Sequence, residues 1–180
     1  FFEIIDGGIL RDKDDIMFKK LINKNFKSKC DIIITNGAVS AGKYDFVPRI
    51  IKNFKLSNYF KGVAIRPGKP VMFAKFKSKN KSFFGLPGNP MSSAACFKFF
   101  VYPYLRFILN MKNEKPYKAK LKSSYFKKKN FTRFLKGRIL ANKKGNLEVV
   151  ILKGQESFKI KPFTNANTWA LFKSGKSTFK

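Results

Sequence analysis

Three short stretches concentrate the residues able to do chemistry: Asn36-Gly-Ala-Val-Ser-Ala-Gly-Lys-Tyr-Asp45, Arg66-Pro-Gly-Lys-Pro70 and Leu86-Pro-Gly-Asn-Pro90. Each directly precedes or follows an apolar, β-branched run. Their glycines let the backbone approach a ligand or take positive φ, while prolines and small hydroxyl or amide side chains stiffen the rest. The first two stretches add cations. Together they read as one anion-binding site, and the reading predicts that Ser40, Asp45, Arg66 and Lys69 face one cleft.

Composition bounds what else the chain does. Its 180 residues suffice for one full core plus a small second domain. With 39 Lys and Arg against 10 Asp and Glu, the formal net charge is +29. Such a balance suggests a nucleic acid or an acidic membrane as partner. A blander origin is at hand, because the excess is almost all Lys, and Phe, Ile and Asn are abundant too, the residue types that an AT-rich genome favours. On that ground nucleic acid is not the expected partner. His is absent, so no imidazole acts as general base or metal ligand, and any metal site must use oxygen ligands suited to a hard cation. Cys30 and Cys96 have neither metal-ligand nor redox spacing and read as reduced, buried thiols of a cytoplasmic protein. Residues 94–109 are the most apolar stretch, but Lys98, Pro103 and Arg106 interrupt it, which argues against a membrane span. No signal peptide is visible.

The elements that must position the three loops follow from periodicity. Residues 1–6 read as a strand end, Gly7-Gly8 as a turn, and residues 12–23 as a helix opening on acidic Asp14 and Asp15. The run Asp31-Ile-Ile-Ile-Thr35 suits a strand buried in a parallel sheet. After the first loop, Val47, Ile50, Ile51 and Phe54 fall at i, i+3, i+4 and i+7, which predicts a helix with Asp45 as a plausible N-cap. Residues 59–65, 71–76 and 82–86 read as strands, with a turn at 78–81. Asn89 and Pro90 form an N-cap and N1 pair for a helix running to about Asn110, kinked or broken near Pro103. Strands alternating with helices imply an α/β layered domain whose ligand sits outside the carboxyl ends of the strands. Beyond a linker at 113–118, residues 119–121, 134–140, 147–152 and 168–172 read as short strands without helical period, hence a small β-barrel or sandwich.

Thr35-Asn-Gly-Ala-Val-Ser-Ala-Gly-Lys-Tyr-Asp45, Val63-Ala-Ile-Arg-Pro-Gly-Lys-Pro70 and Phe84-Gly-Leu-Pro-Gly-Asn-Pro-Met-Ser92 resemble, in order and spacing, the signature of the MoeA-type molybdopterin molybdenumtransferases, whose domain also forms the carboxyl-terminal half of gephyrin. The resemblance continues through Arg133-Phe-Leu, Gly154-Gln-Glu-Ser157 and Ala166-Asn167. It implies an incomplete three-layer, mostly parallel sheet domain of the molybdopterin-binding, MogA-like kind over 1–112, followed by a carboxyl-terminal β-barrel domain over 119–180. It also implies that two amino-terminal domains, and the first strand and helix of the ligand-binding domain, precede Phe1. The full-length protein would then be a homodimer, and the fragment alone is expected to be inactive.

The implied reaction converts adenylylated molybdopterin and molybdate to molybdenum cofactor and AMP, usually with Mg²⁺. On that resemblance, backbone N–H groups around Gly37, Val39 and Gly42, with the Ser40 hydroxyl, surround a phosphate. Asp45 holds Mg²⁺ or orients water, and Arg66 and Lys69 neutralise phosphate or molybdate. Pro87 and Pro90 stiffen the third loop, Asn89 meets a polar ligand edge or caps its helix, and Ser157 contacts substrate. Taken alone, the first loop is equally a tight connection, Asp45 and Asn89 read as helix caps ahead of ligands, and Ser157 reads as a turn residue. Departures are Ala38 where the family has Gly, Arg66 where it often has Lys, and Lys161-Pro162 where it has a serine pair. Competing readings are a related adenylyltransferase or nucleotide hydrolase of the same fold, a basic nucleic-acid module built on Tyr125-Phe-Lys-Lys-Lys-Asn-Phe131, and a scaffold protein.

Overall fold

The computed structural model describes residues 2–11, 14–40, 42, 46–77 and 80–179. It divides into two compact units, residues 1–62 with 70–88 and residues 63–69 with 89–180. The first unit contains α1 (Asp15–Lys27), β1 (Ile32–Asn36), α2 (Val47–Lys52) and β2 (Leu56–Lys61). The chain then places β3 (Ile65–Arg66) in the second unit, and returns to the first for β4 (Met72–Phe76) and β5 (Ser82–Leu86).

The sheet of the first unit has the order β1-β5-β4-β2. Its parallel pairing is β1 with β5, Ile32 opposite Ser82 through Asn36 opposite Leu86. β4 runs antiparallel to both β5 and β2, so the sheet is mixed. The connection explains this: the few residues from β4 to β5 can only reverse the chain, whereas β1 reaches its parallel partner after a long excursion. Central β5 is buried along its whole length. Its core joins Phe18 and Ile22 of α1, Ile33 of β1, Val47, Ile50 and Ile51 of α2, and Phe76 and Phe83. The apolar spacing predicted for α2 is the one that packs, with Ile51 fully buried and Phe54 beside the cluster.

Three expectations shift. Residues 2–11 form no strand; Ile4 and Ile9 are 91% and 96% exposed, so an apolar run without a neighbouring strand stays unpaired. The strand expected over 59–65 splits, because Gly62 takes φ +79° and ends β2 at Lys61. The first helix extends to Lys27 rather than ending near Asn23.

In the second unit, α3 (Pro90–Cys96) passes through a π-helical turn (Phe97–Val101) into α4 (Tyr102–Ile108). Pro103 accounts for the turn: it lacks an N–H and its ring collides with the carbonyl four residues back, and the widened helix lets the Tyr102 N–H bond Phe97 O. Then come β6 (Lys120–Leu121), β7 (Tyr125–Phe126), β8 (Thr132–Ala141), β9 (Leu147–Ile151), α5 (Lys161–Thr164), β10 (Thr168–Phe172) and β11 (Thr178–Phe179). Among them α5, β7 and β11 escaped the sequence reading, being two to four residues long and too short for any period to show. β8 is central, antiparallel to β9 and β10 and parallel to β3, while β7 pairs with β11. Phe99 of the π turn stacks on Phe134 of β8 at 3.8 Å between ring centroids, with Trp169 of β10 edge-on. No helix among the described residues is long and apolar enough to cross a membrane.

Candidate functional site

In the first unit the glycine loop leaves the carboxyl end of β1, as predicted, and is tied to the end of its parallel neighbour. The Gly37 N–H donates to Leu86 O at 2.9 Å. Gly37 has φ +96° and Ala38 φ +54°. Ala38 therefore keeps a left-handed backbone that glycine would adopt freely, a strain of about 1–2 kcal/mol for an L-residue. Gly85 makes the close approach possible, and Gly88 lies alongside Gly37. A Cβ on Gly85 would lie 2.7 Å from Val39 Cγ1, and one on Gly88 would lie 3.4 Å from Gly37 Cα. Val39 is thereby buried, while Ser40 is exposed. The Ser40 carbonyl accepts from Lys61 Nζ at 2.7 Å, and its hydroxyl accepts from the Gly42 N–H at 3.3 Å. Since the Gly37 N–H serves Leu86, Gly37 contributes its missing side chain rather than a donor to any anion above the loop. At the same strand end the Thr35 hydroxyl is buried with no hydrogen-bond partner among the described residues, a polar atom the sequence reading did not single out.

The third loop is stiff for reasons visible in the sequence. Pro87 is buried. Asn89 Oδ1 accepts from the N–H groups of Met91 and Ser92 at 3.1 and 3.2 Å, and Pro90 occupies the first turn of α3. The capping alternative thus describes what Asn89 Oδ1 does.

Arg66 and Lys69 belong to the second unit. The Val63 N–H bonds Lys69 O at 2.9 Å and closes a small loop around them. Gly68, at φ +102°, is buried so tightly that a Cβ there would lie 2.5 Å from Cys96 Sγ. The Cys96 thiol donates to Gly68 O at 3.5 Å, and burial pushes its pKa up to about 12, so it is a packing group and not a nucleophile. Both cations reach the same ring: Arg66 Cζ lies 5.1 Å and Lys69 Nζ 5.9 Å from the Phe131 centroid. Strand register places Arg133 opposite Arg66, and Arg133 Nε is buried without a partner among the described residues. Neither Phe131 nor the placement of Arg133 was legible from spacing, because the β3–β8 pairing joins segments more than sixty residues apart.

Ser157 lies half-buried in a turn after Gly154. That turn is pinned by Lys136, whose buried ammonium donates to the carbonyls of Gly154, Glu156 and Lys159, and by Gln155, which bridges to both backbone groups of Lys136. Burial lowers the Lys136 pKa, opposed by the nearby Glu156 carboxylate. Within the basic run at 127–129, Lys127 is not solvated: it is 8% exposed and donates to Phe131 O at 2.9 Å. The aromatic run proposed for base stacking is largely engaged, with Tyr125 against Phe172 and Phe131 under the two cations, leaving Phe126 exposed.

Asp45, the expected metal ligand, lies outside the described residues, as do Lys43 and Tyr44. Among the described residues no three Asp, Glu, His or Cys side chains converge as a metal site.

The family described as "Probable molybdopterin binding domain" matches residues 2–107. The chain is 33% identical over 168 residues to the molybdopterin molybdenumtransferase of Haemophilus influenzae, covering 92% of this chain and 40% of that protein. To the Staphylococcus aureus enzyme of the same name it is 32% identical over 180 residues, covering 98% and 42%. A crystal structure of a molybdopterin biosynthesis MoeA protein from Pyrococcus horikosii superposes with a TM-score of 0.65 at 25% identity, covering 92% of this chain and 38% of that one. The chain thus spans about 40% of the length of the curated relatives it matches.

Proposed function

The chain belongs to the molybdopterin-binding domain family, and on that premise we propose that it is the substrate-binding part of a molybdopterin molybdenumtransferase. The reaction is insertion of molybdenum from molybdate into adenylylated molybdopterin, with hydrolysis of the adenylate and release of AMP. The observation that carries this reading is the glycine loop at the carboxyl end of the parallel β1–β5 pair, where left-handed Gly37 and Ala38 turn the chain and Gly85 packs against buried Val39, leaving Ser40 exposed. Open α/β sheets bind ligands at that position.

In this reading the loop backbone at Val39 and Gly42 and the Ser40 hydroxyl receive a phosphate of the pterin substrate. Arg66 and Lys69 neutralise oxyanion charge, the first as a planar fork and the second as a point charge. Pro87, Asn89 and Pro90 hold the third loop rigid, and Ser157 supplies a hydroxyl. Asp45 is the proposed Mg²⁺ ligand or water-orienting carboxylate. Among the described residues no further carboxylates cluster as a metal site. Cytoplasmic placement and a homodimeric full-length protein complete the proposal.

AMP release from adenylylated molybdopterin and molybdate, measured in a full-length protein containing this chain, tests the reaction. Asp45→Asn should reduce turnover by at least a hundredfold, in the range seen when one group stabilising developing charge is removed, while leaving the unfolding midpoint nearly unchanged. Full turnover of that variant at limiting Mg²⁺ would make Asp45 a helix cap and nothing more.

A further inference from the structure

Two cations on one ring need an explanation, because positive groups repel and proteins normally separate them with a carboxylate. The acidic residues of the second unit are Glu114, Glu148 and Glu156. All three are engaged elsewhere: Glu114 with Lys98 and Tyr102, Glu148 with Asn142, and Glu156 with Lys159. Neither Arg66 nor Lys69 makes an ion pair among the described residues, and Arg133 lies opposite Arg66 in the β3–β8 register. The group within reach of both cations is the Phe131 ring, whose negative face attracts cations without carrying net charge. That ring is itself fixed. The Phe131 carbonyl accepts from buried Lys127 Nζ at 2.9 Å, and the next residue, Thr132, donates its N–H to Ala64 O at 2.9 Å.

We infer that Phe131 is a positioning residue: its ring holds Arg66 and Lys69 where a counter-carboxylate would otherwise stand, so that both cations keep their charge for an oxyanion. A carboxylate at this place would fix the same side chains and cancel the field they present. The ring fixes them and leaves it. This rests on the proposal that Arg66 and Lys69 bind the anionic substrate.

The test is calorimetric titration of a full-length protein containing this chain with sodium molybdate, alongside thermal unfolding of every variant. Phe131→Leu should weaken molybdate binding roughly three- to tenfold, the range of a lost cation–π contact. Phe131→Trp, with the stronger ring quadrupole, should restore it, and Phe131→Glu should abolish binding while keeping the unfolding midpoint at or above the wild-type value. Replacing Phe131 by its mono-, di- and trifluorinated forms, which keep shape and fold, should weaken binding stepwise. Wild-type affinity in Phe131→Leu or a flat fluorination series, with binding lost in Arg66→Gln and Lys69→Gln, overturns the inference and spares the reading beneath it. No molybdate binding by the wild type, or full binding by Arg66→Gln and Lys69→Gln, overturns that reading as well.

Discussion

Two lysines that look alike in the sequence, one in each unit, do opposite work. Lys81, at the start of β5 in the first unit, is 7% exposed, and its ammonium donates to the carbonyls of Asn25, Ser28 and Cys30 around the end of α1. There the charge meets the negative end of a helix and three oxygens, so nothing remains for a ligand. Lys69 in the second unit is exposed and faces a ring rather than oxygens. A carbonyl cage neutralises an ammonium and uses it to join segments. A ring orients the cation and leaves its field outward. Lys127 and Lys136 follow the first pattern, so part of the +29 charge is internal scaffolding and does not form a polyanion-binding surface.

The largest effect that would break this contrast is Lys81→Met. Leaving several buried carbonyls without their donor should destabilise the chain by about 3 kcal/mol, while molybdate affinity stays at the wild-type value. Arg66→Gln should do the reverse, staying within about 0.5 kcal/mol in stability as an exposed substitution and losing affinity. Urea unfolding and calorimetry on both variants check the pair, and a wild-type midpoint for Lys81→Met would end the claim that the cage is structural.

Gly68→Ala sharpens the second half of the comparison, since the backbone that carries Lys69 depends on a glycine pressed against Cys96. The added Cβ meets both the thiol and an unfavourable φ, and should destabilise by about 2 kcal/mol. Combining it with Cys96→Ala should recover the steric part and leave roughly 1 kcal/mol from the backbone. Strict additivity of the two changes in a denaturation cycle would show that the contact is not what excludes a side chain there.

The smallest effect concerns pH. Burial lowers the Lys136 pKa, so in the alkaline window between that lowered value and the ordinary lysine range the unfolded chain binds the proton more tightly than the folded one. Stability contributed by this group therefore rises with pH across that window and is constant below it. The stability difference between wild type and Lys136→Met should grow as pH rises there, whatever its offset at neutrality. A difference independent of pH would mean that the ammonium titrates as it does in the unfolded chain.

Much of this architecture was legible because it is written locally. The i, i+3, i+4, i+7 apolar spacing of α2, the strands Ser82–Leu86 and Thr168–Phe172, and the Asn89-Pro90 start of α3 each depend on residues within one or two turns of one another. The interruption before Pro103 was legible for the same reason. Elements of two residues, and the unpaired run at 2–11, were not, because a strand exists only if a partner comes alongside it.

The sequence alone determined the alternation of strand and helix, the three glycine and proline loops and the family. Tertiary structure alone decided which lysines lie inside. Lys81 reaches carbonyls 51 to 56 residues away in the chain, and Phe131 meets Arg66 and Lys69 because β8 pairs with a two-residue strand. Charge and apolarity are properties of a residue, but the oxygen or ring that a cation meets is set by long-range chain pairing, which no local pattern encodes.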